Sequence, residues 1–189
     1  MGTYDDYDGV YFSLQAMRLY HPEILDRVEF LVVDNHPDGI CAEPLKALEN
    51  AIPNYRYLPF AANSGTAASR NLIFAEGGGT FALCMDCHVF FVPGALARLL
   101  AYFDAQIQSR HLDFASRWLQ AQGQGFYTIG SAGHESNAAV AMALKPTDPA
   151  LLHYRSGGFF AARAAQVDGT TPIRDVLQSM AASSDDQIS

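Results

Sequence analysis

The chain has 189 residues, 49% of them apolar, enough for one fair-sized domain or two small ones with a packed core. Twenty acidic against twelve basic residues leave a net charge of −8, which excludes a whole-chain field that attracts nucleic acid or an anionic membrane surface, so any phosphate must be held locally. The longest greasy stretch, Val89 to Phe103, is interrupted by Pro93 and Arg98 and is too short for a membrane span. No signal peptide opens the chain, and three cysteines without disulfide spacing point to a reducing, cytoplasmic setting.

Gly9 to Tyr20 reads as a short amphipathic helix with Val10, Leu14, Met17 and Leu19 on or near one side, stopped by His21-Pro22. Val28 to Val33 is nearly continuous apolar, as a parallel strand covered on both faces requires, and Asn35-His36-Pro37-Asp38-Gly39 is turn chemistry. Glu43 to Ile52 reads as a helix ending at Pro53, Tyr55 to Phe60 as a second strand, and Gly65 to Glu76 as a helix stopped by Gly77-Gly78-Gly79. Phe81 to Asp86 reads as a third strand, and Pro93 starts a helix reaching about Asp104. The order βαβαβ implies an α/β fold with a parallel sheet and right-handed crossovers. Beyond a seam placed near Gln106 the pattern turns helical, over Leu112 to Gln122, Gly133 to Leu144 and Thr171 to Ala182, before a polar tail that frays.

Two of the apolar runs end in aspartate, Asp34 and Asp86. Ligands of open α/β sheets sit beyond the carboxyl ends of parallel strands, so these two side chains are the first functional candidates, expected to converge on one polar molecule. Between them Asn63-Ser64-Gly65-Thr66-Ala67-Ala68-Ser69-Arg70-Asn71 is a loop running into a helix of small residues. Gly65 permits close backbone approach, and Arg70 is placed to reach an anion or to remain a solvated helix residue. Cys84-Met85-Asp86-Cys87 has Cys-x-x-Cys spacing. Alternation along a strand puts the two thiols on opposite sides, which argues against a redox pair or half a zinc site and for Cys84 as a small core residue.

The ordered set Val33-Asp34-Asn35…Asp38-Gly39, Asn63…Gly65…Arg70-Asn71 and Met85-Asp86-Cys87-His88…Pro93-Gly94 resembles the nucleotide-binding half of family 2 glycosyltransferases of the GT-A fold, over about residues 1–105. The resemblance implies a Rossmann-like parallel sheet, truncated here because the family's strand ahead of Thr3-Tyr4-Asp5 is expected to be missing. It implies that Asp34 contacts the nucleotide base of a nucleotide diphosphate sugar, that Asn63 and Arg70 line its pocket, and that Asp86 and His88 fall on the metal motif. That motif holds Mn²⁺ or Mg²⁺ across the donor's two phosphates. His88 stands where a second carboxylate is usual; its alternative role is a strand-end residue bonded to a loop carbonyl. Nothing after Asp104 matches the family's acceptor half, so no catalytic base is nominated.

Downstream, Arg110-His111-Leu112-Asp113, Leu119-Gln120-Ala121-Gln122-Gly123, Phe126, Gly133-His134-Glu135 and His153-Tyr154-Arg155-Ser156-Gly157-Gly158 resemble the amino-terminal region of the alpha subunit of thiamine-diphosphate-dependent 2-oxo acid dehydrogenases, over about residues 107–189. That resemblance implies that Tyr154 and Arg155 hold the diphosphate of thiamine diphosphate, with Mg²⁺ bound by a segment beyond Ser189 and the site completed by a beta subunit. His134 and Glu135 invite an acid/base reading, but a glutamate at a helix start more simply complements the positive helix end. The chain thus reads as two partial domains, 1–105 and 106–189, joined by an incomplete or misjoined gene, by engineering or by natural fusion. The expected function is glycosyl transfer, with oxidative decarboxylation of a 2-oxo acid, or an inert pair of fragments held by exposed apolar faces, as alternatives.

Overall fold

The computed structural model describes residues 1–61, 65–125 and 130–186. They form two compact units, Met1–Ala97 and Arg98–Ser189.

The first unit is built on a parallel sheet of β1 (Gly2–Thr3), β2 (Phe30–Asp34) and β3 (Tyr55–Pro59), in the order β1-β2-β3. All five β2 residues are buried, which is why its sequence is continuously apolar up to Asp34. One face, through Phe30, Val32 and Tyr55, packs on Val10, Leu14 and Met17 of α1 (Tyr7–Tyr20) and on Leu45 of α2 (Ala42–Ala47). The other face, through Leu31 and Val33, packs on Ile73 of α3 (Gly65–Glu76). The α/β fold with parallel strands and crossover helices follows the expectation.

Two strands differ from the sequence reading. Of the strand expected to be missing ahead of Thr3-Tyr4-Asp5, the two residues of β1 are present, pairing Gly2 with Val33 and Thr3 with Asp34, so the sheet is truncated there. The strand expected over Phe81 to Asp86 is reduced to one bridge, Asp86 against Gly2 on the far edge of β1. A ladder needs a partner of matching length, and β1 is two residues long. Asp34 and Asp86 therefore do not end neighbouring strands, because β1 runs between them.

From Arg98 onward the second unit is helical. The break expected between two helices near Gln106 is not there: α4 is continuous over Ala95–Ala121, since Ala105 to His111 contains neither Gly nor Pro. A core of small residues, Ala105, Ala138, Ala141, Ala161 and Ala162 around Phe159, joins α4 to α5 (Ala138–Ala143) and α6 (Gly157–Ala164). Gly158 is required where α6 begins, because a Cβ there would stand 2.5 Å from the Glu135 carbonyl oxygen. The last helix is α7 (Pro172–Met180). No helix of the described residues is long and apolar enough to cross a membrane.

The sheet core makes a direct stability test. Leu14 is fully buried and Leu19, on the same helix, is 70% exposed. Leu14→Ala is expected to cost about 2–5 kcal/mol in urea unfolding, and Leu19→Ala about 0.5 kcal/mol or less.

Candidate functional site

A cavity of about 300 Å³ opens at the carboxyl end of β1, between the start of α1, the first turns of α3 and the segment from Cys84 to His88. Its walls are fixed by backbone bonds. The Thr3 carbonyl accepts from both the Asn35 amide and the Asn35 side chain, at 2.9 and 3.0 Å. The Ser13 hydroxyl of α1 donates to the Cys87 carbonyl at 2.6 Å, buried.

Arg70, Asp86 and His88 all line this cavity. Arg70 Nη2 lies 3.8 Å from Asp86 Oδ1, with both side chains more than half exposed, so the pair contributes little to stability and stays available to a ligand. Asp34 is placed differently. It is 1% exposed and outside the cavity lining; Oδ1 accepts from the His36 amide at 2.9 Å and Oδ2 from the Tyr57 hydroxyl at 2.7 Å. Burial, with the bond to Asp34, pushes the Tyr57 hydroxyl above its usual range, so it remains a donor. Asp34 thereby holds the turn that presents Asn35 to the cavity. Asn63 lies outside the described residues, as does Phe126.

Other residues of the cavity wall were not nominated from the sequence, among them Tyr4, Asp6, Asn35 and Cys87. Asn35 and Tyr4 line it, and Tyr4 stacks on His36 at 4.8 Å between ring centroids and 8° between planes. His36 Nδ1 in turn meets Asp5 Oδ2 at 2.6 Å. Asp6 caps α1, accepting from the Gly9 amide at 2.8 Å through Oδ1, while Oδ2 accepts from Cys87 Sγ at 3.1 Å. The thiol bond and then the amide bond hold the Asp6 carboxyl below its ordinary range. Burial, followed by the bond to Asp6, pushes the Cys87 thiol up to about 11. A capping position before an amphipathic helix was the available signal for Asp6; nothing local marks Tyr4.

The two cysteines of the Cys-x-x-Cys spacing separate, although their segment is not a regular strand. Cys84 packs with Leu31, Val33 and Ile73 on one face of the sheet, Cys87 with the core on the other. For a divalent cation, Asp86 and His88 supply one carboxylate and one imidazole on the cavity wall, a set suited to Mn²⁺ together with a ligand's phosphate oxygens.

In the second unit Tyr154 is half-exposed and stacks obliquely on His153 at 3.7 Å, with Arg155 Cζ 5.7 Å from its ring. Glu135 stands in the first turn of a short 3-10 helix, Glu135–Asn137, and in addition its Oε1 meets Arg110 Nη2 at 2.6 Å and its Oε2 accepts from the Gly133 amide at 2.9 Å.

The sequence profile of Glycosyl transferase family 2 matches residues 3–164. The chain belongs to this family. It carries a glycosyltransferase domain, and the match runs past Gln106 through most of the stretch whose motifs resemble the thiamine enzymes. No curated protein and no solved structure matches the chain. The family 2 assignment agrees with a cavity at the carboxyl end of β1, since open α/β sheets bind ligands beyond the carboxyl ends of their strands.

Cys87 offers a chemical check. A thiol raised from 9.0 to about 11 has a thiolate fraction near neutral pH about 100-fold below the ordinary one. Alkylation of Cys87 by iodoacetamide at pH 8, followed by peptide mass spectrometry, is expected to be at least about 100-fold slower in the folded chain than in urea.

Proposed function

We propose that the first unit binds a nucleotide diphosphate sugar in the cavity beyond β1 and serves glycosyl transfer. The observation that carries this is the convergence of Arg70, Asp86 and His88 on one cavity from two separate segments. Arg70 supplies a guanidinium fork shaped for diphosphate oxygens, and its partner Asp86 is exposed enough to exchange that contact for a cation. Asp86 and His88 hold Mn²⁺ or Mg²⁺, which when bound neutralises charge on the departing nucleoside diphosphate.

Tyr4, backed by His36, offers an aromatic face to the nucleotide base. Asp34 acts behind it as a positioning residue: its carboxylate, occupied by Tyr57 and the His36 amide, fixes the turn bearing Asn35. Asn63 is a further candidate for donor binding on the family resemblance of its motif alone. In this reading the unit Met1–Ala97 binds the donor, and the unit from Arg98 onward is helical. A thiamine-diphosphate role for Tyr154 and Arg155, with a dehydrogenase beta subunit as partner, has no support in the comparisons.

Calorimetric titration of the intact chain with uridine diphosphate and Mn²⁺ tests the proposal. Saturable binding is expected, weakened about tenfold or more by Arg70→Ala or by Asp86→Asn, with unfolding midpoints unchanged because the pair is exposed. Absence of heat at millimolar ligand overturns it.

A further inference from the structure

The cavity contains a set of three donors, of which the proposed function uses only His88. Cys87 Sγ, a carboxylate oxygen of Asp6 and a ring nitrogen of His88 lie within 4.8 Å of one another, the one such group of three ligating side chains among the described residues. Sulfur is 3.1 Å from Asp6 Oδ2 and 3.9 Å from His88 Nδ1. Metal bonds of about 2.3 Å to sulfur and 2.0–2.2 Å to nitrogen or oxygen place the ligand atoms of tetrahedral Zn²⁺ about 3.3–3.6 Å apart. The two distances to sulfur bracket that spacing, and the exposed His88 is free to close the remainder.

We propose that Asp6, Cys87 and His88 form a binding site for a borderline-soft divalent cation, Zn²⁺ in particular, with its fourth position open to the cavity. The donor types decide the ion. A thiolate is a poor ligand for the hard, oxygen-seeking Mg²⁺, whereas Zn²⁺ takes sulfur, imidazole and carboxylate together. The ligands are held from behind: Asp6 Oδ1 stays on the Gly9 amide, and the Cys87 backbone is pinned by Ser13. On binding, the Cys87 S–H bond breaks, a sulfur–metal bond forms, and one proton leaves to solvent. The three ligands alone define this site, so it stands whether or not the cavity takes a nucleotide. Only one consequence rests on the proposed donor site: Zn²⁺ occupies His88 and withdraws it from Asp86.

Cobalt(II) titration of the metal-free full chain is the test, because a cobalt–thiolate bond gives a sulfur-to-metal charge-transfer band and cobalt bound by oxygen and nitrogen alone does not. One equivalent of Co²⁺ is expected to produce that band together with intense four-coordinate visible bands, and Zn²⁺ to abolish both stoichiometrically. Cys87→Ser should remove the charge-transfer band and weaken binding at least about tenfold, and His88→Gln, at an exposed position, should weaken it similarly with circular dichroism unchanged. Cys41→Ser and Cys84→Ser should retain the full spectrum. Cobalt binding without the sulfur band, a band that survives Cys87→Ser or disappears in Cys84→Ser, or no saturable binding at millimolar Co²⁺ overturns the proposal.

Discussion

The first unit depends on a two-residue strand. Gly2 and Thr3 stand in register with Val33 and Asp34 on one edge, and Gly2 bridges Asp86 on the other, so β1 sets the spacing between the turn after β2 and the segment around Asp86. Backbone donors and acceptors in a buried sheet must be paired, and this pairing leaves no freedom in register. The Thr3 carbonyl then fixes Asn35, and the Asp34 carboxylate fixes the turn on the far side of Asn35. The site is positioned by main chain first and by side chains second.

The two aspartates illustrate how identical chemistry diverges with placement. Both sit at the end of an apolar run, yet Asp34 is sealed under Tyr57 while Asp86 stands in solvent beside Arg70. A buried carboxylate with two donors is a structural anchor whose removal strands polar groups in the core. An exposed one with a distant partner can change partners at little cost. Asp86 is therefore left open to solvent and Arg70, and architectural work falls to Asp34.

Much of the fold was legible in the residues. Continuous apolar character identified β2, and small residues ending in three glycines marked α3 and its stop. Arg70, Asp86 and His88 were identifiable from motif order alone and share one cavity. The misses have physical causes. A hydrophobic run such as Phe81 to Asp86 signals burial rather than pairing, and pairing depends on a partner the run does not encode. Helix α6 opens with two glycines, which local propensity reads as loop, but close packing of Gly158 on the Glu135 carbonyl required them. Asp6 and Cys87, separated by 81 residues, could be joined only by the folded chain.

That separation bears on how the molecule assembles. The floor of the cavity is closed by the Ser13–Cys87 and Asp6–Cys87 bonds, which span 74 and 81 residues, whereas β2, α2 and β3 are near neighbours in sequence. Loop-closure entropy disfavours early formation of such remote contacts, so the sheet and its helices consolidate first and the segment around Cys87 docks onto a surface already made. The part of the unit that carries its chemistry is then the last to be ordered during folding.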